Sequence, residues 1–274
     1  TEASHKGATE HFIELRSLKD KLLPFEPTPY SRHVEQLMSA YCAYLNLQDI
    51  KIDGEDLGHI HLIRKYRDRD GSGRLIHGGR THHPFMSFPP AKRQRITING
   101  ERVVLVDYPA SQANVLYKYV TGEFLHPEDP YKVDGLHRDT AKYLMKMMLN
   151  NRSSRGASGA ARSHLDELSR KAAERFELDS KNHGGIAAMM RLVEERNDPI
   201  AKCFYQGKAQ GQYYAWLESN LVFEVAKHLT DQGVPALTVH DEFIVPESME
   251  SAVLECRYKV LPDESIYTDT RNPL

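Results

Sequence analysis

The chain has 274 residues, of which 40% are hydrophobic and 27% are charged, and its formal net charge at pH 7 is −2. A chain of this length can bury a hydrophobic core, and no apolar run approaches the roughly 18 residues of a membrane-spanning helix. Three cysteines without a C-x-x-C spacing disfavour a disulfide framework and a thiolate zinc site. Because the first residues also lack the order of a signal peptide, we expect a protein of a reducing cytoplasm, and neither a secreted, a membrane-spanning nor a disordered one.

Helical spacing of apolar residues predicts helices along most of the chain. The predicted ranges are 10–23, 32–46, 111–120, 138–150, 164–177, 185–196, 209–231 and 248–258. Between them, the Gly-, His- and Pro-rich residues 68–90 predict an extended loop, and the small, polar and basic residues 151–162 predict a mobile segment.

Strands are predicted at two places. Residues 95–98 and 102–107 flank Asn99-Gly100, a strong signal for a β-hairpin. Residues 234–246 predict two short strands around the two-residue turn His240-Asp241. Helices outnumber strands and the strands are separated in sequence, which is typical of an α+β fold with a small antiparallel sheet.

Positive charge is concentrated in residues 61–95, although the whole chain is nearly neutral. The segment holds nine basic residues against only Asp68 and Asp70. The basic residues are Arg64, Lys65, Arg67, Arg69, Arg74, Arg80, Lys92, Arg93 and Arg95. The segment is therefore a candidate surface for binding nucleic-acid phosphates. The alternative is a solvated basic loop.

Two aspartates mark the ends of apolar strands. Asp107 follows Val-Val-Leu-Val, and Asp241 lies in the turn between Ala-Leu-Thr-Val and the Phe-Ile-Val after Glu242. Acids beside so much apolar sequence are costly unless they are solvated, paired or bound to a cation. Magnesium is a suitable cation because it binds one or two carboxylates together with water and substrate phosphates. The alternative is that Asp107 caps a strand and Asp241 only forms a turn.

Two cations share a face of the predicted helix 138–150. Arg138 and Lys142 stand four residues apart, and like charges at this spacing are mildly unfavourable in a helix. The pair is explained if both side chains bind an anion such as a triphosphate, with Arg138 as a fork of donors and Lys142 as a point charge. A solvated basic face is the alternative.

Three blocks, in this order, resemble motifs A, B and C of family A DNA polymerases and of the related single-subunit phage RNA polymerases. They are VVLVDYPASQANVLY at 103–117, RDTAKYLMKMMLNN at 138–151 and LTVHDEFIV at 237–245. Upstream, Gly73-Arg74-Leu75 resembles a segment that contacts the primer-template duplex. Gln210-Gly211 resembles the start of a helix that precedes motif C. The resemblance covers about residues 70–246.

The resemblance implies an α+β right-hand polymerase that adds nucleotides to a primer end with two Mg²⁺ ions, for which Mn²⁺ can substitute. It implies metal ligands at Asp107, Asp241, Glu242 and the backbone carbonyl of Tyr108. It implies nucleotide binding by Arg138, Lys142, Gln112 and Asn150, with Lys142 also serving as a catalytic proton donor. It implies nucleic-acid binding by Arg74, Arg93, His240 and Gln210.

The resemblance also divides the chain. Residues 1–70 are expected to form a helical thumb-like segment, 71–137 and 206–274 the palm, and 138–205 the fingers, without an exonuclease domain. The implied partners are a DNA primer-template and deoxynucleoside triphosphates, in a bacterial or phage-infected cell and without a membrane. RNA, ribonucleotides, and further replication domains or subunits are left open.

Four positions depart from the polymerase pattern. Gln112 stands where DNA polymerases carry the Glu that screens against a ribose 2′-hydroxyl. Asn150 and Asn151 replace a usual Tyr-Gly, and Lys146 replaces an aromatic residue. Deoxynucleotide preference therefore does not follow, and an RNA-synthesising or terminal-transferase variant stays an alternative.

Two further alternatives come from other functional classes. A polymerase-derived binding module without turnover fits the missing aromatic residue and the short thumb, but both aspartates are retained. A metal-dependent hydrolase would use clustered histidines, whose spacing matches no helical H-x-x-x-H. Those histidines are His59, His61, His77, His82 and His83.

Overall fold

The protein has an α+β fold, as the sequence predicts. A computed structural model describes residues 11–125 and 127–260. The strands are β1 Ile13–Arg16, β2 Leu22–Leu23, β3 Ile50–Ile52, β4 Glu55–Asp56, β5 Ile63–Arg67, β6 Gly78–His82, β7 Ile96–Ile98, β8 Glu101–Asp107, β9 Leu237–Val239 and β10 Glu242–Pro246. The helices are α1 Pro29–Asn46, α2 Pro90–Arg93, α3 Ser111–Thr121, α4 Arg138–Asn150, α5 Ser154–Ser163, α6 Arg170–Asn182, α7 Ile186–Arg196, α8 Lys208–Asp231 and α9 Glu250–Cys256. In these described ranges, no helix has the length and apolar character needed to cross a bilayer.

The chain forms two compact units. The first contains the described residues up to Asp107 and those from Val222 onward, and the second is Tyr108–Leu221. These limits do not coincide with the predicted divisions at residues 70, 137 and 205. The predicted thumb, palm and fingers therefore stay predictions.

Both β-sheets belong to the first unit. One sheet has the strand order β2-β1-β5-β6, in which only β1 and β5 run parallel. The other has the order β4-β3-β7-β8-β10-β9 and is antiparallel throughout. The predicted hairpin at Asn99-Gly100 is confirmed, with φ of +55° and +80° at its two turn residues. Positive φ at both central residues is the conformation that favours Asn-Gly there.

The core of the first unit lies along α1. Thr28 caps this helix by accepting a hydrogen bond from the Ser31 backbone N–H at 3.1 Å, while Ser31 returns a bond to the Thr28 backbone. A buried stripe on α1 contains Val34, Leu37, Met38, Tyr41 and Leu45. Tyr41 packs edge-to-face on Phe223 of α8, with ring centroids 6.2 Å apart.

The second unit is helical, and α4 is its centre. Helix α4 packs against α5, α6 and α7. It spans Arg138–Asn150 as predicted. One of its faces buries Ala141, Leu144, Met145 and Met148, while Arg138 and Lys142 are exposed.

The predicted helix at 10–23 is wrong. Residues Ile13–Arg16 form β1, in which Ile13 and Leu15 are buried and Glu14 and Arg16 are not. A period of two marks a strand, and β1 is held by parallel pairing with β5, about 50 residues away in sequence. The described part of the expected helical segment 1–70 therefore contains the five strands β1 to β5 as well as α1.

The predicted mobile segment at 151–162 is also wrong, because most of it forms α5. The Ser153 side chain caps α5 by accepting a hydrogen bond from the Gly156 backbone N–H at 3.0 Å. Buried Ala157 and Ala161 are small enough for close packing against α4, where Tyr143 donates a hydrogen bond to the Ala161 carbonyl at 2.9 Å. The loop at 68–90 contains a strand as well, β6.

Candidate active site

The register of β8 against β10 positions the two candidate aspartates. Asp107, the last residue of β8, stands opposite Glu242, the first residue of β10. Buried Val106 and Phe243 stand opposite each other one step inward. Phe243, Ile244 and Val245 of β10 are all fully buried, so a slip of this pairing would disrupt packing on both faces of the strand.

The turn between β9 and β10 presents Asp241. Val239 pairs with Glu242, so only His240 and Asp241 form the turn. His240 has a φ of +57°, a left-handed conformation that few non-glycine residues adopt. Asp241 is half-buried and Asp107 is exposed, so solvent reaches both. The structure thus brings Asp107, Asp241 and Glu242 to one end of the sheet, and we call these three residues the carboxylate rim.

Glu242 is bound by an arginine. Arg93, at the end of α2, places its Nε 2.9 Å from Glu242 Oε1, and its Nη2 donates to Oε2 at 3.3 Å. Burial raises the pKa of Glu242; Arg93 opposes this effect, and the charges of Asp107 and Asp241 add to it. The sequence predicts separate roles for these two residues, Glu242 on a metal and Arg93 on nucleic acid. In the structure their charged groups bind each other.

A second arginine, far downstream in the sequence, contacts the backbone of Asp107. Arg257, just after α9, donates from Nη1 to the Asp107 backbone carbonyl at 2.7 Å. Its guanidinium lies 5.2 Å from the centre of the Tyr258 ring. Sequence reasoning missed Arg257 because no motif marks it; it is placed by the packing of α9 on β8 and β10.

His82 ends β6, and partial burial together with the charge of Lys65 lowers its pKa. The predicted duplex contact Arg74 forms an ion pair within its own loop, where its Nη2 is 3.1 Å from Asp70 Oδ2.

In the second unit, the cations of α4 differ in their surroundings. Arg138 Nε is 2.5 Å from Asp129 Oδ2, and its guanidinium lies 5.2 Å from the centre of the Tyr131 ring. Lys142 is exposed, and none of the described residues forms an ion pair with it. Arg138 would have to leave Asp129 to bind a triphosphate, whereas Lys142 would not.

The start of α4 is anchored by a buried acid that the sequence did not single out. Asp179 of α6 accepts hydrogen bonds from the His137 backbone N–H at 3.0 Å and from the His137 ring at 2.8 Å. Burial would raise the pKa of Asp179, but hydrogen bonds from Thr140 and His137 outweigh it and lower the pKa. A carboxylate at a helix N-terminus is favourable, so Asp179 fixes the end of α4 that carries Arg138.

The remaining predicted site residues are spread along this unit. Gln112 is half-buried on α3. Asn150, at the end of α4, donates to the Lys146 carbonyl at 2.8 Å. Gly211 of α8 lies against it, so that a Cβ built on Gly211 would be 2.4 Å from Asn150 Oδ1. Gln210 is half-buried in the first turn of α8, and Tyr108 is fully buried directly after Asp107.

The donor chemistry of the rim fits magnesium. Asp107 is exposed and Asp241 is half-buried, and Mg²⁺ is usually held by one or two carboxylates while keeping several waters. In the part of the chain that the structure describes, no three His, Cys, Asp or Glu side chains are grouped so that they could hold a metal together. The five histidines of the hydrolase alternative form no such group either.

Comparison with known proteins adds no assignment. The chain matches no protein-family profile and no curated protein.

Proposed function

We propose that the protein is a template-directed nucleotidyltransferase, which adds nucleoside triphosphates to a primer end as family A DNA polymerases do. The observation that supports this most directly is the register of β8 and β10, with Asp107 beside the His240-Asp241 turn. On this proposal, the six-stranded sheet is the palm, and the helices of Tyr108–Leu221 include the fingers.

The proposed roles follow from position and charge. Asp107 and Asp241 hold two Mg²⁺ ions, which when bound activate the primer hydroxyl and stabilise the charge of the leaving pyrophosphate. Exposed Arg138 and Lys142, on one face of α4, bind the triphosphate. Lys142, which has no ion-pair partner among the described residues, is the proton donor to the leaving group.

The proposed partners are a DNA primer-template and deoxynucleoside triphosphates. Ribonucleotides are the alternative because Gln112 and Asn150 depart from the DNA-polymerase pattern. An RNA-synthesising or terminal-transferase enzyme would use the same carboxylates, so the choice of substrate is separate from the assignment of the rim.

Primer extension tests the proposal. Wild type, Asp107→Asn and Asp241→Asn are incubated with Mg²⁺ and labelled DNA or RNA primer-templates, each with deoxy- or ribonucleotides. Glu55→Gln is the matched control, because Glu55 is an exposed acid on β4, at the edge of the same sheet remote from β10. We expect extension by wild type and Glu55→Gln, and a loss of at least about 100-fold in each aspartate variant.

Duplex binding, measured by fluorescence anisotropy, separates the outcomes. If wild type binds the duplex but extends no primer with any substrate pair, the protein is a binding module and the proposed activity is wrong. If the aspartate variants extend primers as fast as wild type, the assignment of the site is wrong. Far-ultraviolet circular dichroism of each variant checks that it is folded.

A further inference from the structure

The Arg93–Glu242 ion pair uses the whole guanidinium. Arg93 Nε and Nη2 face the two oxygens of Glu242, and Nη1 donates to the Phe88 carbonyl at 2.9 Å. The two side chains are only 12% and 18% exposed. A planar fork that faces a carboxylate at two points and a carbonyl at a third is held in one orientation. The Glu242 carboxylate is therefore turned toward α2.

The position of this pair matters because three acids meet at the rim. Glu242 is opposite Asp107 in the sheet and adjacent to Asp241 in sequence. Three like charges so close together repel one another, and each is costly to bury without a partner. Arg93 pairs with Glu242 and so neutralises one of the three.

We infer that Arg93 is a positioning residue that keeps Glu242 out of the cation site, so that Asp107 and Asp241 alone supply its carboxylates. This inference rests on the proposed function, since it concerns the same divalent cations. It revises the expectation from sequence that Glu242 is itself a ligand. Arg93 thereby sets both the number of carboxylates that reach the cations and the net charge that the cations experience.

The inference predicts charge effects of opposite sign. Arg93→Gln releases the Glu242 charge at the rim, so divalent cations bind more tightly, by about three- to tenfold for one unit charge several ångströms away. Glu242→Gln leaves Arg93 unpaired, so cations bind more weakly by a similar factor. The double variant Arg93→Gln/Glu242→Gln has the same net charge as wild type and returns to near wild-type affinity. If Glu242 were a ligand, the double variant would lack that ligand and bind cations clearly more weakly than wild type does.

The test is a titration with Mn²⁺ alone, in which the electron paramagnetic resonance signal of free Mn²⁺ reports binding without nucleotide or primer. Asp241→Asn establishes the cation site, and Glu55→Gln is the neutral control. Because Arg93→Gln leaves a buried acid unpaired and can unfold the chain, the double variant is the decisive sample. It keeps polar groups at both positions.

The outcomes separate the two proposals. The inference is supported if the wild type and the double variant both bind Mn²⁺ and Asp241→Asn does not. If the double variant and Glu242→Gln both lose Mn²⁺ binding, the inference is overturned, but the cation site is not. A wild type that binds no Mn²⁺, or an Asp241→Asn variant that binds as wild type does, overturns the proposed function as well.

Discussion

Replacing Gly211 by alanine is a quantitative test of the packing between α8 and the end of α4. A Cβ at this position would lie 2.4 Å from Asn150 Oδ1, 2.9 Å from Asn150 Cγ and 3.0 Å from the Leu149 carbonyl oxygen. The Asn150 side chain can rotate away, but it would lose its bond to the Lys146 carbonyl. The Leu149 oxygen is backbone and can move only if α4 moves.

Two effects of opposite sign decide the result. Alanine is better than glycine in a helix by about 0.5–1 kcal/mol, whereas overpacking costs about 1–3 kcal/mol. Because one of the three close contacts is with backbone, we place the cost in the upper half of that range. The expected net change is a loss of about 1–2.5 kcal/mol in the free energy of unfolding.

The assay uses the single tryptophan of the chain. Trp216 lies on α8, close to Gly211 in sequence, and is 1% exposed, so its fluorescence changes when this part of the second unit unfolds in urea. Gly159→Ala is the matched control, because Gly159 is exposed in α5 and a Cβ there would meet nothing within 4 Å. It should gain about 0.5–1 kcal/mol. Adding Asn150→Ala to Gly211→Ala should recover part of the loss. A Gly211→Ala protein as stable as wild type would refute the contact.

Three further predictions concern the anchors of the site. Asp179→Asn should lower the free energy of unfolding by about 1–3 kcal/mol at pH 7. Because the pKa of Asp179 is lowered in the native state, the difference between variant and wild type should shrink as the pH falls from about 4 toward that native pKa. Urea titrations at each pH measure this difference. Lys142→Ala should raise the KM for nucleoside triphosphate at least about tenfold. Its affinity for the duplex, measured by anisotropy, should be unchanged, and its free energy of unfolding should lie within about 0.5 kcal/mol of wild type. Arg257→Gln should slow single-turnover primer extension about tenfold, because the Asp107 carbonyl loses its hydrogen-bond donor. The affinity for the duplex, measured by anisotropy, should stay the same.

Elements with a strong local signal could be predicted from the sequence. Asn99-Gly100 fixes its hairpin through the positive φ of both residues, and the apolar stripe of α4 predicts both of its ends. Elements that depend on distant partners could not. The β1 strand forms because it pairs with β5. Helix α5 packs through small alanines, and its sequence composition is similar to that of a mobile linker.

The same distinction explains how much of the site was predictable. The meeting of Asp107 with the Asp241 turn follows from the apolar strand before Asp107 and the apolar strands on both sides of Asp241, since buried side chains fix how such strands pair. The counter-charges of the rim carry no comparable pattern. Arg93 ends a four-residue helix, and Arg257 is the residue after α9. Many other arginines in this chain have equally polar sequence neighbours, so the sequence does not distinguish these two.

The charge balance of the rim is therefore a property of tertiary packing, and it constrains how the site can work. Asp107 ends β8, Asp241 lies in the turn before β10, and solvent reaches both residues, whereas Glu242, the first residue of β10, is paired with Arg93. A carboxylate with a buried, two-point arginine partner is costly to release. On the proposed function, a cation at the rim would meet two acids whose positions are set by β8 and β10, and we expect its affinity to depend on an arginine that does not touch it.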